Sequence, residues 1–491
     1  MPAAHAAART VLAAALAAAA LGAARANQLT PISLLPSTTE AYCAVVNQTC
    51  AFAGGSPGTI CWGFGGRGAL GQGNSKNYGS SASDALSTAP AAIDFGWDGA
   101  KPLPVKTGSA GASFGCSVFE NGKVKCVGWK MDGCHLDNVD SMSQYIGKSP
   151  GDWPLDYLAL PDFYDNVTQI SVQGTPMGAV AQNGTNETSR AILLWAGGQS
   201  GSMGSGSTAK VKTASQITPI SFRSKGYQIL EIAIAGEVVC VRLEKLSDAS
   251  DKDIMCWGGN TFGITGPQTS NLGDDAGEVP DQLTALTFPD NCEPTMVEAG
   301  LYNMCTICSN DNKIYCWGSN QDRQLGIGAT TQKIGANSGD WGNSLASVNL
   351  GSGRTAKTVE CGYKFCCAVT DEDKVKCWGT NSYGQLGYGD TTTRGASAST
   401  MGDNLAYLDL GGDSKVSQLR VSAHSACVMM QATNEVKCWG RNSVGQLGIN
   451  STANVGDGSG QMGSNLAAVY FGNDGMCTPP SPPPSPPPSP P

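Results

Sequence analysis

Residues 374–390 read KVKCWGTNSYGQLGYGD, and two near copies, YCWGSNQDRQLGIG from Tyr315 and KCWGRNSVGQLGIN from Lys437, fix how that stretch is to be taken. The Cys-Trp-Gly triplet recurs at Cys61, Cys256, Cys316, Cys377 and Cys438, with CVGW at Cys126 and LWAGG at Leu194 filling the two gaps. These markers stand 60 to 68 residues apart, which divides the chain into seven units. A repeat of that size is one supersecondary unit that hides its apolar faces only by stacking on its neighbours.

Two other elements keep the same phase. Alternating runs follow the markers, among them LTALTF ending at Phe288, LASVNLG ending at Gly351 and LAYLDLG ending at Gly411. Further runs such as VTQISVQG and ILEIAIAG precede them. Period-two alternation over such lengths marks half-buried strands. Each unit thus offers about four strands and no helix of convincing period. The expectation is an all-β, seven-bladed β-propeller of four-stranded antiparallel blades; a linear β-solenoid is the alternative. Composition agrees, since 64 glycines and 14% charged residues in 491 suit short strands and tight turns.

The complete motifs resemble the G-x-N-x-x-G-Q-L-G signature of the regulator of chromosome condensation (RCC1-like) repeat, and the cysteine-bearing form with MGDNLAYLDLG resembles secreted members of that superfamily. The resemblance covers roughly Cys43 to Gly472 and is eroded in units two to four. It implies a propeller whose loops carry function.

A second cysteine precedes most markers by eleven residues, pairing Cys50 with Cys61, Cys305 with Cys316, Cys366 with Cys377 and Cys427 with Cys438. Cys116 with Cys126 and Cys240 with Cys256 follow after small length changes. Turn-rich sequence between partners lets each pair close a hairpin, and a loop of that size stabilises by about 3 kcal/mol in the chain-entropy estimate. Unit three lacks the pair and is the expected soft spot. A Cys43–Cys477 bond would lock the two ends of the ring. Cys134, Cys292, Cys308, Cys361 and Cys367 have no assigned partner, and with 19 cysteines at least one is left over. Trp62, Trp195, Trp257, Trp317, Trp378 and Trp439 supply apolar plates for packing against adjoining blades.

Residues 1–26 have the layout of a secretory signal, with Arg9, an apolar run from Val11 and small residues at Ala24 and Ala26. Export agrees with the cysteine usage and with sequons at Asn47, Asn166, Asn183, Asn186 and Asn450. Domains are expected as a signal over 1–26, the propeller over 27–477 and a polyproline II tail over 478–491, the last resembling hydroxyproline-rich wall glycoproteins.

No catalytic constellation is evident. The mature chain holds two histidines, His135 and His424, and no G-x-S-x-G elbow. Cys305 and Cys308 read as structural, Asn271 to Glu278 as a solvated turn and His424 as a packed strand residue. No cofactor or metal is expected. The net charge of −9 gives no footprint for nucleic acid, and no later window is long and apolar enough for a membrane span. The expectation is a non-enzymatic, monomeric binding or structural propeller, secreted to the extracellular matrix or cell wall, with a protein or glycan partner met through rim loops. Guanine-nucleotide exchange on a small GTPase is the alternative that the family resemblance implies.

Overall fold

The computed structural model describes residues 189–471 except 269, together with shorter stretches between Thr30 and Gln182. Cys50, Cys134, His135, Cys477, Asn183, Asn186, residues 1–26 and residues 478–491 lie outside the described residues.

Among the described residues, seven sheets of three or four strands follow one another along the chain, beside one two-stranded ribbon. Each is an antiparallel meander. The best-kept examples are Ala356–Cys361, Phe365–Thr370 and Val375–Gly379, then Val416–Val421, Ser425–Met430 and Val436–Gly440. Their burial repeats as their sequence does. The two first strands both alternate, while the two middle strands are buried at every position. A strand covered on both faces must read as a continuous apolar run, as FCCAVT and SACVMM do.

Four-stranded sheets were expected throughout, but five of the seven have three strands. Among the described residues, most of the alternating runs after the markers are extended segments that attach by a single backbone bond, and the run of the third unit attaches by two, exchanged between Ile220 and Ile192. Leu408 N–H donates to Val375 O at 2.9 Å, Val348 to Ile314 at 2.8 Å and Val469 to Val436 at 2.7 Å. One or two bonds per run hold the segment without forming a ladder. Their apolar residues, Leu408, Val348 and Val469, are buried all the same.

The sheets are stitched to each other at their first strands. A register shift interrupts the pairing of the first two strands in six sheets, between Val167 and Gln169, Ile229 and Glu231, and Val416 and Gln418 among others. A bulge turns the next side chain out of its own sheet. Here the re-aimed residue reaches the following sheet: Gln169 accepts from Ile232 N–H at 2.9 Å, Glu231 from Val297 N–H at 3.0 Å and Gln418 from Leu34 N–H at 2.7 Å. The last contact joins the seventh sheet to the first, Thr30–Leu35 with Ala41–Asn47 and Gly58–Gly63, and closes the ring.

Candidate functional site

The tryptophan of each Cys-Trp-Gly triplet is fully buried, and the loop that receives it belongs to the preceding unit. The indole N–H of Trp439 donates to Gln385 O at 3.0 Å, Trp378 to Gln324 O at 2.9 Å, Trp317 to Ile264 O at 3.0 Å and Trp257 to Ser202 O at 3.0 Å. Trp62 donates to Gln446 O at 3.1 Å across the closure. The repeat signature describes this slot. Asn381 donates to Asp390 O at 2.7 Å and accepts from Leu386 N–H at 2.9 Å, fixing the loop from inside, and Asn442 does the same with Ser451 O and Leu447 N–H. Gly387 has φ +74°, and a Cβ there would lie 2.8 Å from the Trp439 indole nitrogen, so only glycine leaves room for the ring. Trp195 is likewise fully buried.

Eight disulfides lie among the described residues. Cys116–Cys126, Cys240–Cys256, Cys305–Cys316 and Cys427–Cys438 join the second and third strands of a sheet, as the spacing suggests. Three expectations need correction. Cys61 is bonded to Cys43, which stands opposite it in the strand register, and not to Cys50. That bond also removes Cys43 from any pairing with Cys477. In the sixth unit Cys377 faces and binds Cys367, because Cys366 stands one rung away opposite Trp378; Cys366 instead joins Cys361. Cys308 binds Cys292, so the Cys305–Cys308 spacing serves two separate structural bonds. The Asn271 to Glu278 turn is closed by its own carboxylate, Glu278 accepting from Gly273 N–H at 2.6 Å and Asp275 N–H at 3.0 Å.

The first strands of three successive sheets carry an acidic series. Glu231 pairs with Arg242 at 3.0 Å and Glu360 with Arg420 at 2.6 Å. Glu298 lies between them with only the Cys361 N–H, at 3.3 Å, on its carboxylate. Burial first, then the charge of Glu360, pushes the Glu298 carboxyl well above its ordinary range. A carboxyl raised in the folded state holds a proton that the unfolded chain has released, so its contribution to stability falls as pH rises above about 4.5. Glu298→Gln is therefore expected to be at least as stable as the parent at pH 7–8, with the difference shrinking toward pH 4.5, in thermal unfolding across that range. A uniform loss at every pH would contradict this.

At one end of the sheets the slot loops meet the first hairpin turns of the next unit. Phe262 contacts Tyr302 at 4.8 Å between ring centroids, Asp322 pairs with Lys364 at 3.2 Å, and Tyr383 meets His424 at 5.3 Å. Tyr363 approaches His424 edge-on at 5.4 Å, and the Arg441 guanidinium lies 5.4 Å from the Tyr383 centroid. Tyr302 and Tyr383 are 38% and 36% exposed. His424 is half-buried, its Nδ1 is without a hydrogen-bond partner, and burial, then Arg441 and Lys364, press its pKa down to about 4. It is neutral at physiological pH in a positive surround. This cluster offers aromatic faces and cations, with no nucleophile and base in contact; its fitness is for holding a ligand. The sequence reading treated His424 as packing alone and singled out none of the others.

The class defined by this geometry is an all-β propeller, with sheets stapled internally and joined through a repeated tryptophan slot. A family model for the Regulator of chromosome condensation (RCC1) repeat matches residues 356–385. The chain is similar to the human "Probable E3 ubiquitin-protein ligase HERC6", 28% identical over 44% of this chain and 19% of that protein. It is also similar to the Arabidopsis thaliana "Ultraviolet-B receptor UVR8", 24% identical over 52% of this chain and 50% of the receptor. The matches span half or less of those relatives. Among solved structures, yeast RCC1 (Prp20) bound to Kap60 superposes with a TM-score of 0.56 at 13% identity, covering 90% of this chain and 85% of that one. This chain is an RCC1-like repeat protein.

Proposed function

We propose that the protein is a secreted, non-enzymatic propeller of seven blades that works by contact, holding a protein or glycan partner of the cell surface, cell wall or extracellular matrix through its rim loops. The observation that carries this reading is the eight disulfides, one or more in every stapled sheet, since such bonds persist in oxidising compartments and are rare in the cytosol. The signal-like residues 1–26 and the sequons support it. Ligase activity is not carried over from a relative of which only 19% is matched. Nucleotide exchange requires cytosolic or nuclear access, which the oxidised staples oppose.

Expression in a eukaryotic secretory host tests the reading. Recovery from the medium with the marker cysteines oxidised is expected, and retention inside cells with titratable thiols at those positions would overturn it. The same material makes a finer prediction. Asn450 is exposed, in a turn with φ +59°. Asn166 is half-buried in a strand and packed so closely on Gly122 that a Cβ there would lie 2.6 Å from its Oδ1. Peptide mass spectrometry after deglycosylation is expected to find Asn450 modified and Asn166 bare; the reverse pattern would contradict the exposure argument.

A further inference from the structure

We propose that Cys305 and Cys361 are the two ends of a latent bond that locks the fifth sheet to the sixth, formed by thiol–disulfide exchange when a small thiol opens the Cys361–Cys366 bond.

The fifth sheet, Glu298–Ala299, Asn303–Ile307, Ile314–Ser319 and Lys333–Ile334, holds the Cys305–Cys316 bond, and the sixth holds Cys361–Cys366. The two bonds meet across the seam, where Cys305 Sγ stands 3.7 Å from Cys361 Sγ. Repacking of side chains is therefore enough to exchange partners, and no strand has to leave its sheet.

The repeat does not ask for sulfur at this place. Cys361 and Cys366 face each other at the rung that Ala299 and Met304 fill in the fifth sheet and Val421 and Ala426 fill in the seventh. An apolar pair serves there elsewhere. Nor does the repeat ask for an amide beside the sulfurs, since the residue opposite the marker glycine is Asn303 in the fifth sheet, Phe365 in the sixth and Ser425 in the seventh. Asn303 is fully buried, its Nδ2 lies 3.8 Å from the sulfur of Cys305 and 3.7 Å from those of Cys361 and Cys366, and its Oδ1 has no hydrogen-bond partner. A donor aimed at sulfur favours the thiolate, which is the form that attacks a disulfide. A thiolate metal centre at the same three cysteines would need both bonds reduced, whereas exchange needs only one opened.

Cys361–Cys366 is the bond to open. It spans 5 residues where the other described disulfides span 10 to 18, so its loss costs the fold the least loop-closure entropy. Cys361 is 3% exposed, while Cys305 and Cys366 have no exposure. One small thiol attacks Cys361 Sγ and expels Cys366 as its thiolate. A second thiol removes the first as a small disulfide and leaves the Cys361 thiolate, which attacks Cys305 Sγ and expels Cys316. The products are the Cys305–Cys361 bond, thiols at Cys316 and Cys366 that carry the two protons, and one oxidised small-molecule disulfide. A seam held by packing and hydrogen bonds becomes covalent, across 56 residues of chain, in response to thiol.

Cys366→Ser in the full chain leaves a Cys361 thiol beside the intact Cys305–Cys316 bond and needs no outside reagent. After acid quenching and alkylation, non-reducing peptide mass spectrometry is expected to find Cys305 joined to Cys361, with Cys316 alkylated, at least threefold more abundant than Cys305 joined to Cys316. Predominance of the Cys305–Cys316 peptide with Cys361 alkylated overturns the proposal. The wild-type chain titrated with reduced glutathione keeps the test open if that variant misfolds. Here the cross-sheet peptide is expected, with Cys316 and Cys366 alkylated, while Cys240 stays joined to Cys256. Alkylation of both Cys361 and Cys366 without the cross-sheet peptide, no opening short of unfolding, or a cross-sheet peptide that appears only as the Cys240–Cys256 peptide is lost to scrambling each overturns it. Asn303→Ser, the residue the seventh sheet carries at this position, is expected to slow the exchange at least threefold with unaltered melting; an unchanged rate overturns the part assigned to the amide.

Discussion

Trp62→Ala is expected to destabilise the protein by about 3–5 kcal/mol, the range for removing a fully buried tryptophan. Its ring stacks on Tyr42 at 6.0 Å, meets Phe471 edge-on at 5.4 Å and donates to Gln446 O at 3.1 Å. Trp378 makes the equivalent bond to a loop 54 residues away, whereas Trp62 reaches across 384 residues. The slot at Trp62 is therefore the one that helps hold the first sheet to the seventh, beside the Gln418–Leu34 bond. Denaturant unfolding should show Trp62→Ala to be at least as damaging as Trp378→Ala and, unlike it, to expose the 466–471 segment to proteolysis. Trp62→Phe keeps most of the apolar area but strands the Gln446 carbonyl, a cost of about 1–3 kcal/mol. A loss below about 1 kcal/mol for the alanine variant would show that the closure does not depend on this slot.

The second large effect is a gain. The third sheet, Asn166–Ser171, Met177–Gln182 and Ala191–Trp195, has no cysteines. Its register places Gly178 opposite Leu194, one rung from the Met177–Trp195 pair; Cys427 and Cys438 stand likewise one rung from Ala426 and Trp439. Leu194 fills the missing sulfur's place, since a Cβ on Gly178 would lie 2.8 Å from its Cδ2. Gly178→Cys with Leu194→Cys supplies the staple and removes that clash, leaving the Ile232 side chain, 2.7 Å from the same Cβ, to yield. Oxidised, the double cysteine variant is expected to be about 3 kcal/mol more stable than the matching double serine variant, the chain-entropy value for a loop of this length. Equal stability of the two, with the new bond confirmed by mass spectrometry, would show that the third sheet is not limited by its missing cross-link.

Much of this was legible because the repeat rewrites one physical problem several times. Cysteine, tryptophan and glycine at the marker, and asparagine, glutamine and leucine in the loop, all serve one slot. Spacing misled where two cysteines compete for one partner. Cys43 and Cys50 both precede Cys61, and Cys366 and Cys367 both precede Cys377; strand register and face choose between them, and neither is a property of sequence distance. The fourth run alternated as a strand should, but alternation reports burial, which Leu408 and Leu410 retain, and does not report how many backbone bonds form. The rim escaped notice because its residues come from different units. The second position after the motif asparagine, Phe262, Asp322 or Tyr383, varies in kind and constant in place, was the available signal: it faces the neighbouring turn each time.

Every disulfide described closes a short segment, from 5 to 18 residues, and none reaches from one sheet into another. Under a pulling force the seams between sheets would part first, through their tryptophan slots and bulge-aimed hydrogen bonds, while the sulfur loops stay shut. Such a chain would lengthen in discrete steps, each shorter than its residue count allows at about 3.3–3.6 Å per residue, because the looped segments cannot pay out. That is the behaviour of a shock absorber with a fixed stop, and a tethered molecule in a load-bearing matrix would keep its hairpins folded after its ring had opened.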